Sequence, residues 1–257
     1  MKLNILLLSV FVCLFSLTAR AEIIFEGYYK VTQFKKHIGF LVLRHEIDDK
    51  TKNFKTTSFI KLGAGGFDFT ESYQATSDQQ LLPLSLNYLT VDGKKTKTIE
   101  AKIKDLKMTG LVIEDGKKTK LNTSVPKGSF FSSALYYLML QSKDGLKTDS
   151  KFDYIGITEE GPVAINGSVS VDKKMVTQGS QQLLKINNKF AGSDYDNLVT
   201  SRGEVVTAST PATQIESELV KTADEAIQGI KISKGALEKI FGKLPEGKHN
   251  YLHAKTK

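Results

Sequence analysis

Ser129-Phe130-Phe131-Ser132-Ser133-Ala134-Leu135-Tyr136-Tyr137-Leu138-Met139-Leu140-Gln141 carries no charge, and its apolar side chains fall on most sides of a helical wheel. Ser129 reads as an N-cap, which predicts a short helix over Phe130–Gln141. A helix greasy on most sides has to be buried nearly all round. Its neighbours in sequence are strands, so the cover this reading expects is the concave face of a curved sheet. Phe130, Phe131, Leu135, Tyr136, Leu138 and Met139 then either line an apolar binding site or plug it.

Upstream of that helix the pattern is a meander. Ile24 to Phe34 is aromatic and β-branched, residues 35–39 turn, and Phe40 to Ile47 returns. On the return, Leu41, Leu43, His45 and Ile47 share one face and Val42, Arg44 and Glu46 the other, the period of two of a strand. Phe54–Leu62 and Phe67–Tyr73 follow, joined by Gly63-Ala64-Gly65-Gly66. Leu84–Val91 and Thr96–Lys104 flank Asp92-Gly93, and a second Asp-Gly turn stands at Asp115-Gly116. Asp-Gly between alternating apolar runs is a strong hairpin signal. The hexapeptide Asp-Gly-Lys-Lys-Thr-Lys thus occurs twice, offering Lys94, Lys95, Lys97, Lys117, Lys118 and Lys120 as basic contact tips.

Downstream, strands are expected at Phe152–Ile157, Gly161–Val171, Met175–Thr177, Leu183–Ile186, Leu198–Ser201 and Glu204–Ala208. Thr210-Pro211 reads as the start of a second helix, with Ile215, Leu219, Ala223, Ala226, Ile227 and Ile230 as its stripe. Ser233–Phe241 reads as a third, stopped by Gly242. The fold class is therefore mainly β: one curved antiparallel sheet or half-barrel meander, one buried apolar helix and C-terminal helices. No linker divides it, so residues 22–245 count as one domain and 246–257 as a mobile tail.

Met1-Lys2, the apolar run Leu3–Leu17 and Ala19-Arg20-Ala21 are the three parts of a secretory signal cleaved after Ala21. The run is shorter than the ~20 residues of a membrane span, and no other segment approaches that length. Cys13, the one cysteine, lies inside it, flanked by residues too bulky for a lipoprotein signal. A secreted domain without disulfides points to a bacterial envelope, the periplasm first, then the outer membrane or the medium. Removing residues 1–21 leaves 34 basic and 28 acidic residues, with Arg44 and Arg202 the only arginines. So lysine-heavy a composition suits weak attraction to anionic polymers or a solubilising coat, and argues against specific nucleic-acid readout.

Reactive constellations are missing from the pattern. There is no Gly-x-Ser-x-Gly elbow, and Ser132-Ser133 reads as capping. His37 lies in a turn, His45 reads as a satisfied, semi-buried histidine, and His249 and His253 make at most an adventitious metal pair. Gly63-x-Gly65-Gly66 lacks the Gly-Lys-Ser/Thr end of a phosphate loop. The adjacent acids Glu159-Glu160 and Asp48-Asp49 point apart and cannot straddle one glycosidic bond. No catalytic, cofactor or metal residue is therefore assigned.

Tyr28-Tyr29-Lys30-Val31 through Lys36-His37-Ile38-Gly39-Phe40, then Ser132–Leu138, then Gly203-Glu204-Val205-Val206, resemble segments of DUF3108-like bacterial periplasmic β domains. The opening is also similar to the non-catalytic N-terminal region of some transglutaminase-like envelope proteins. The resemblance implies an envelope β domain with no agreed enzymatic role and no functional residues to carry over. Three functions stay open: an envelope domain holding a lipid or other apolar ligand, an envelope scaffold touching protein or polymer, and an enzyme of unfamiliar type.

Overall fold

The computed structural model describes residues 21–143 and 145–253. Except for Ala21, the segment read as a secretory signal lies outside the described residues.

Eight strands run as a meander in chain order: β1 (Glu22–Gln33), β2 (Lys36–Ile47), β3 (Phe54–Leu62), β4 (Phe69–Ser77), β5 (Pro83–Asp92), β6 (Lys95–Lys104), β7 (Lys107–Glu114) and β8 (Lys117–Ser124). The apolar run follows as β9 (Phe130–Phe131), a 3₁₀ turn (Ser132–Ala134) and α1 (Leu135–Gln141). Next come β10 (Lys151–Ile157), β11 (Ala164–Val171), β12 (Val176–Gln178), β13 (Gln181–Phe190), β14 (Ser193–Val199), β15 (Val205–Thr210) and β16 (Ile215–Val220). Short helices α2 (Ala223–Ile227) and α3 (Ala236–Phe241) and a 3₁₀ turn (Tyr251–His253) close the chain.

Because β16 pairs antiparallel with β1, both halves join one 16-stranded sheet that runs from β8 through β1 and β16 to β9, with β12 beside β13. Its mixed character comes from β9, which runs parallel to β10. The sheet is strongly curled without closing into a barrel. Ten strand steps separate β4 from β9, about 48 Å in a flat sheet. Yet Phe131 of β9 packs in one apolar cluster with Ala75 of β4. Only rolling the sheet onto its own inner face brings them together.

α1 lies inside that roll. Leu135 and Met139 join Phe54 of β3 and Leu184 and Ile186 of β13 in one core cluster, so the helix bridges strands from both halves. On the outside, α2 and α3 cover Tyr28, Phe40, Val42 and Phe59.

Several expectations are corrected. The helix begins at Leu135, not Phe130, because Phe130–Phe131 pair with Gly156–Ile157 as the last strand. Ser129 is no N-cap: its hydroxyl donates to the Pro126 carbonyl. The 210–230 helix is instead a turn, β16 and the five-residue α2. Ile215, Ser217 and Leu219 alternate as well as they spiral, and the free edge of β1 selects the alternation. Residues 246–253, expected to be mobile, are docked. The Glu246 and Gly247 amides donate to Glu26 Oε1 (2.6 and 2.8 Å), Tyr28 donates to the Pro245 carbonyl, and Asn250 is buried.

The same clasp seals Arg44, which the period of two places on the β2 face opposite Leu41 and Leu43. Its Nε donates to Glu26 Oε2 at 2.6 Å, Nη1 donates to the Phe241 carbonyl at 2.7 Å, and the guanidinium sits 5.0 Å from the Phe241 ring centre. Both charges are essentially sealed from water, at 1% and 2% exposure.

Candidate functional site

Along each strand the inward residue is every second one, and the curl points these residues at each other. Tyr29 of β1, Leu41, Leu43 and His45 of β2, Ser58 of β3 and Tyr73 of β4 form one wall. Tyr154 of β10, Asn188 and Phe190 of β13, Tyr195 and Asn197 of β14, Ala208 of β15 and Ser217 of β16 form the opposite one. Ser132, Ser133, Leu135, Tyr136 and Tyr137 supply the side made by the apolar run. Between them is a half-enclosed cavity of about 270 Å³. A glycine shapes it: Tyr154 lies over Gly167, where a Cβ would stand 2.3 Å from the ring's Cζ.

The polar groups on these walls are mostly held. Tyr29 donates to the Val205 carbonyl (2.9 Å), Tyr154 to Asn188 Oδ1 (2.7 Å), and Asn197 Nδ2 donates to the Tyr136 hydroxyl (2.8 Å). Burial raises the phenol pKa values of Tyr29, Tyr73, Tyr136 and Tyr137, and that of Tyr154 to about 12, so these hydroxyls stay protonated.

His45 is stacked on Phe54, edge-on to Tyr137 and bonded through Nδ1 to Thr56 Oγ1 at 3.0 Å. Burial among these rings lowers its pKa to about 3, leaving a neutral imidazole at physiological pH. Glu204, the wall's carboxylate, accepts from Arg202 Nη2 (2.8 Å) and Thr200 Oγ1 (3.2 Å). Glu159 stands behind the wall, accepting from Ser132 Oγ (2.6 Å) and the Ser133 amide (3.1 Å), so Ser132 anchors to a carboxylate and caps nothing. Burial raises the Glu159 pKa against the pull of those two bonds.

The six candidate residues of the apolar run divide. Leu135 and Tyr136 line the cavity. Phe130, Phe131 and Met139 are buried in the core clusters and Leu138 packs against one, so these four plug the roll. Sequence reasoning missed the strand-borne walls, Tyr29, Leu43, Tyr73, Tyr154 and Tyr195. A usable signal was present: Phe40 and Val42 are as apolar as Leu41 and Leu43, and a strand apolar on both faces needs cover on both.

The lysine tips do meet. Thr96 donates to Asp115 Oδ1 and the Asp115 amide donates to the Thr96 carbonyl (2.8 and 2.9 Å), tying the two hairpin ends together. Lys94, Lys95, Lys117, Lys118 and Lys120 are exposed, whereas Lys97 is half-buried and donates to the Glu160 carbonyl. β8 is an edge strand, where lysines also discourage pairing with another sheet. Among the described residues, no group of three or more His, Cys, Asp or Glu side chains is arranged to hold a metal ion. His37 bonds the Gly39 carbonyl and His253 the Lys221 carbonyl. No helix of the described residues is long and apolar enough to cross a membrane.

No family model and no curated protein matches the chain. Among solved structures, a DUF1089 family protein from Pseudomonas aeruginosa is similar with a TM-score of 0.40 and 10% identity, over 70% of this chain and 92% of that one. So slight a likeness carries no argument about function.

Proposed function

We propose that this protein is an exported, non-enzymatic envelope domain that carries a small apolar ligand inside its rolled sheet. The observation that carries this reading is the half-enclosed cavity of about 270 Å³, walled largely by aliphatic and aromatic side chains. It lies just below the usual range for drug-sized ligand sites, ~300–1,000 Å³, which suits a small ligand. Export is supported by the N-terminal leader pattern, and an envelope setting by the DUF3108-like segments.

The test is uptake of the neutral dye N-phenyl-1-naphthylamine. Wild-type protein should enhance its fluorescence saturably, and Ala208→Phe, which builds a ring into the cavity, should abolish the enhancement while the protein stays folded. Equal enhancement by both proteins would remove the reading. Export is checked separately by fusing residues 1–21 to mature alkaline phosphatase, which is active only outside the cytoplasm.

A second reading, an interaction module for anionic polymer or a partner protein, draws on the Asp115–Thr96 bonds that gather the lysine tips. It expects salt-sensitive retention on an anionic polymer. Retention unchanged by Lys→Glu substitution at 94, 95, 117 and 118 together would exclude it.

A further inference from the structure

The chemistry of the cavity wall narrows its ligand, an inference that rests on the carrier reading above. The chain has 36 lysines and arginines, yet among the described residues none lines this cavity. Six of the nine tyrosines do: Tyr29, Tyr73, Tyr136, Tyr137, Tyr154 and Tyr195. The arginine nearest the wall in sequence, Arg202, is already engaged by Glu204 at 2.8 Å. The wall's histidine, His45, is enclosed by Phe25, Phe54 and Tyr137 and held neutral by that burial.

We infer that the cavity selects an uncharged amphiphile, an apolar chain or ring bearing a hydroxyl-rich head of the acylglycerol kind, over fatty-acid or phosphate anions. A hydroxyl entering this space can donate to phenol oxygens such as those of Tyr29 and Tyr154. These already donate to Val205 and Asn188 and keep lone pairs to accept, whereas an anion has no proton to give them. An anion would lose its hydration with no cation on the described wall to meet it, Arg202 being already paired with Glu204. Burying an unpaired carboxylate costs far more than burying a bonded hydroxyl. The lysine coat draws anions to the exterior through a long-range field, but supplies no contact inside. The exterior charge and the interior selectivity therefore point in opposite directions.

The experiment is calorimetric titration of the wild-type protein with a chain-matched pair, 1-octanoylglycerol and sodium octanoate, at a pH of about 8, where the carboxylate is fully ionised. Octanoylglycerol should bind about tenfold tighter or more. Octanoate binding as tightly or tighter would overturn the inference. The dye assay separates the two failures. Dye uptake sensitive to Ala208→Phe, with octanoate preferred, refutes the ligand class alone. No uptake of dye or of either amphiphile refutes the carrier reading, and this inference with it.

Discussion

Outward from β2, Phe40, Val42 and Arg44 meet helices α2 and α3 and the C-terminal clasp, and all three are essentially inaccessible to water. Inward from the same strand, Leu41 and Leu43 remain half-buried at the wall of a cavity. Phe40 and Val42 on one face are as apolar as Leu41 and Leu43 on the other. What differs is the cover: the outer face is filled by the polypeptide and locked by a buried ion pair, whereas the inner face is curled around α1, which fills only part of the space. Apolar patterning therefore establishes that both faces are buried but not which one keeps room for a guest.

The comparison breaks most sharply at Glu26. Glu26→Ala leaves the buried Arg44 with only the more distant Glu46, 3.8 Å away, as a counter-charge, and the Glu246 and Gly247 amides without their acceptor. Loss of one partner of a buried pair costs about 3–5 kcal/mol, to be read from the denaturant midpoint. Dye binding, measured well below that midpoint, should be unchanged. Coupled loss of both would show that the clasp also shapes the cavity.

Leu135→Ala tests the inner face. Truncating a buried leucine costs about 2–5 kcal/mol, and because Leu135 lines the cavity, the dye affinity should move with the stability. A stability loss with affinity unaltered would place the ligand elsewhere.

His45 makes the inner face sensitive to pH. Its folded pKa, about 3, lies below the ordinary histidine value of 6.5. The unfolded chain therefore binds the proton first as the pH falls, and the stability contributed by the neutral ring is present above about 6.5 and lost progressively toward 3. Wild type should lose on the order of a few kcal/mol across that window relative to His45→Gln. Parallel stability–pH curves for the two proteins would refute this assignment.

The smallest effect is at the β1–β2 turn, where Phe34 and Lys35 both adopt left-handed backbone (φ 48° and 62°). Replacing them together by Asn-Gly, the pair that suits a type I′ turn, should stabilise by about 1 kcal/mol without altering dye binding. A destabilised variant would mean that the exposed Phe34 ring makes a contact worth more than the strain.

Most strands were legible because a period of two over four or more residues is local information. Phe54–Leu62 was read to its ends, and the Asp-Gly turn between β7 and β8 was placed at Asp115-Gly116, with both residues at positive φ. The misreadings fall where two periods coincide or where the partner is remote. Ile215–Leu219 fits a helix and a strand alike until β1 is known to need a neighbour. The docked tail depends on Glu26, some 220 residues earlier in the chain. Of the site, Leu135 and Tyr136 were visible inside their apolar run, but the tyrosines of β1, β4, β10 and β14 were not.

By itself, the amino-acid sequence determined the secondary-structure class, the hairpin turns and the presence of one segment too apolar to face water. Those follow from side-chain periodicity and turn chemistry within a few residues. Only the tertiary structure decided that the sheet rolls onto itself, that α1 fills the roll incompletely, and that the cavity walls collect phenols and, among the described residues, no lysine. Those outcomes depend on contacts between strands far apart in the sheet, where curvature and packed volume, not local preference, settle what touches what.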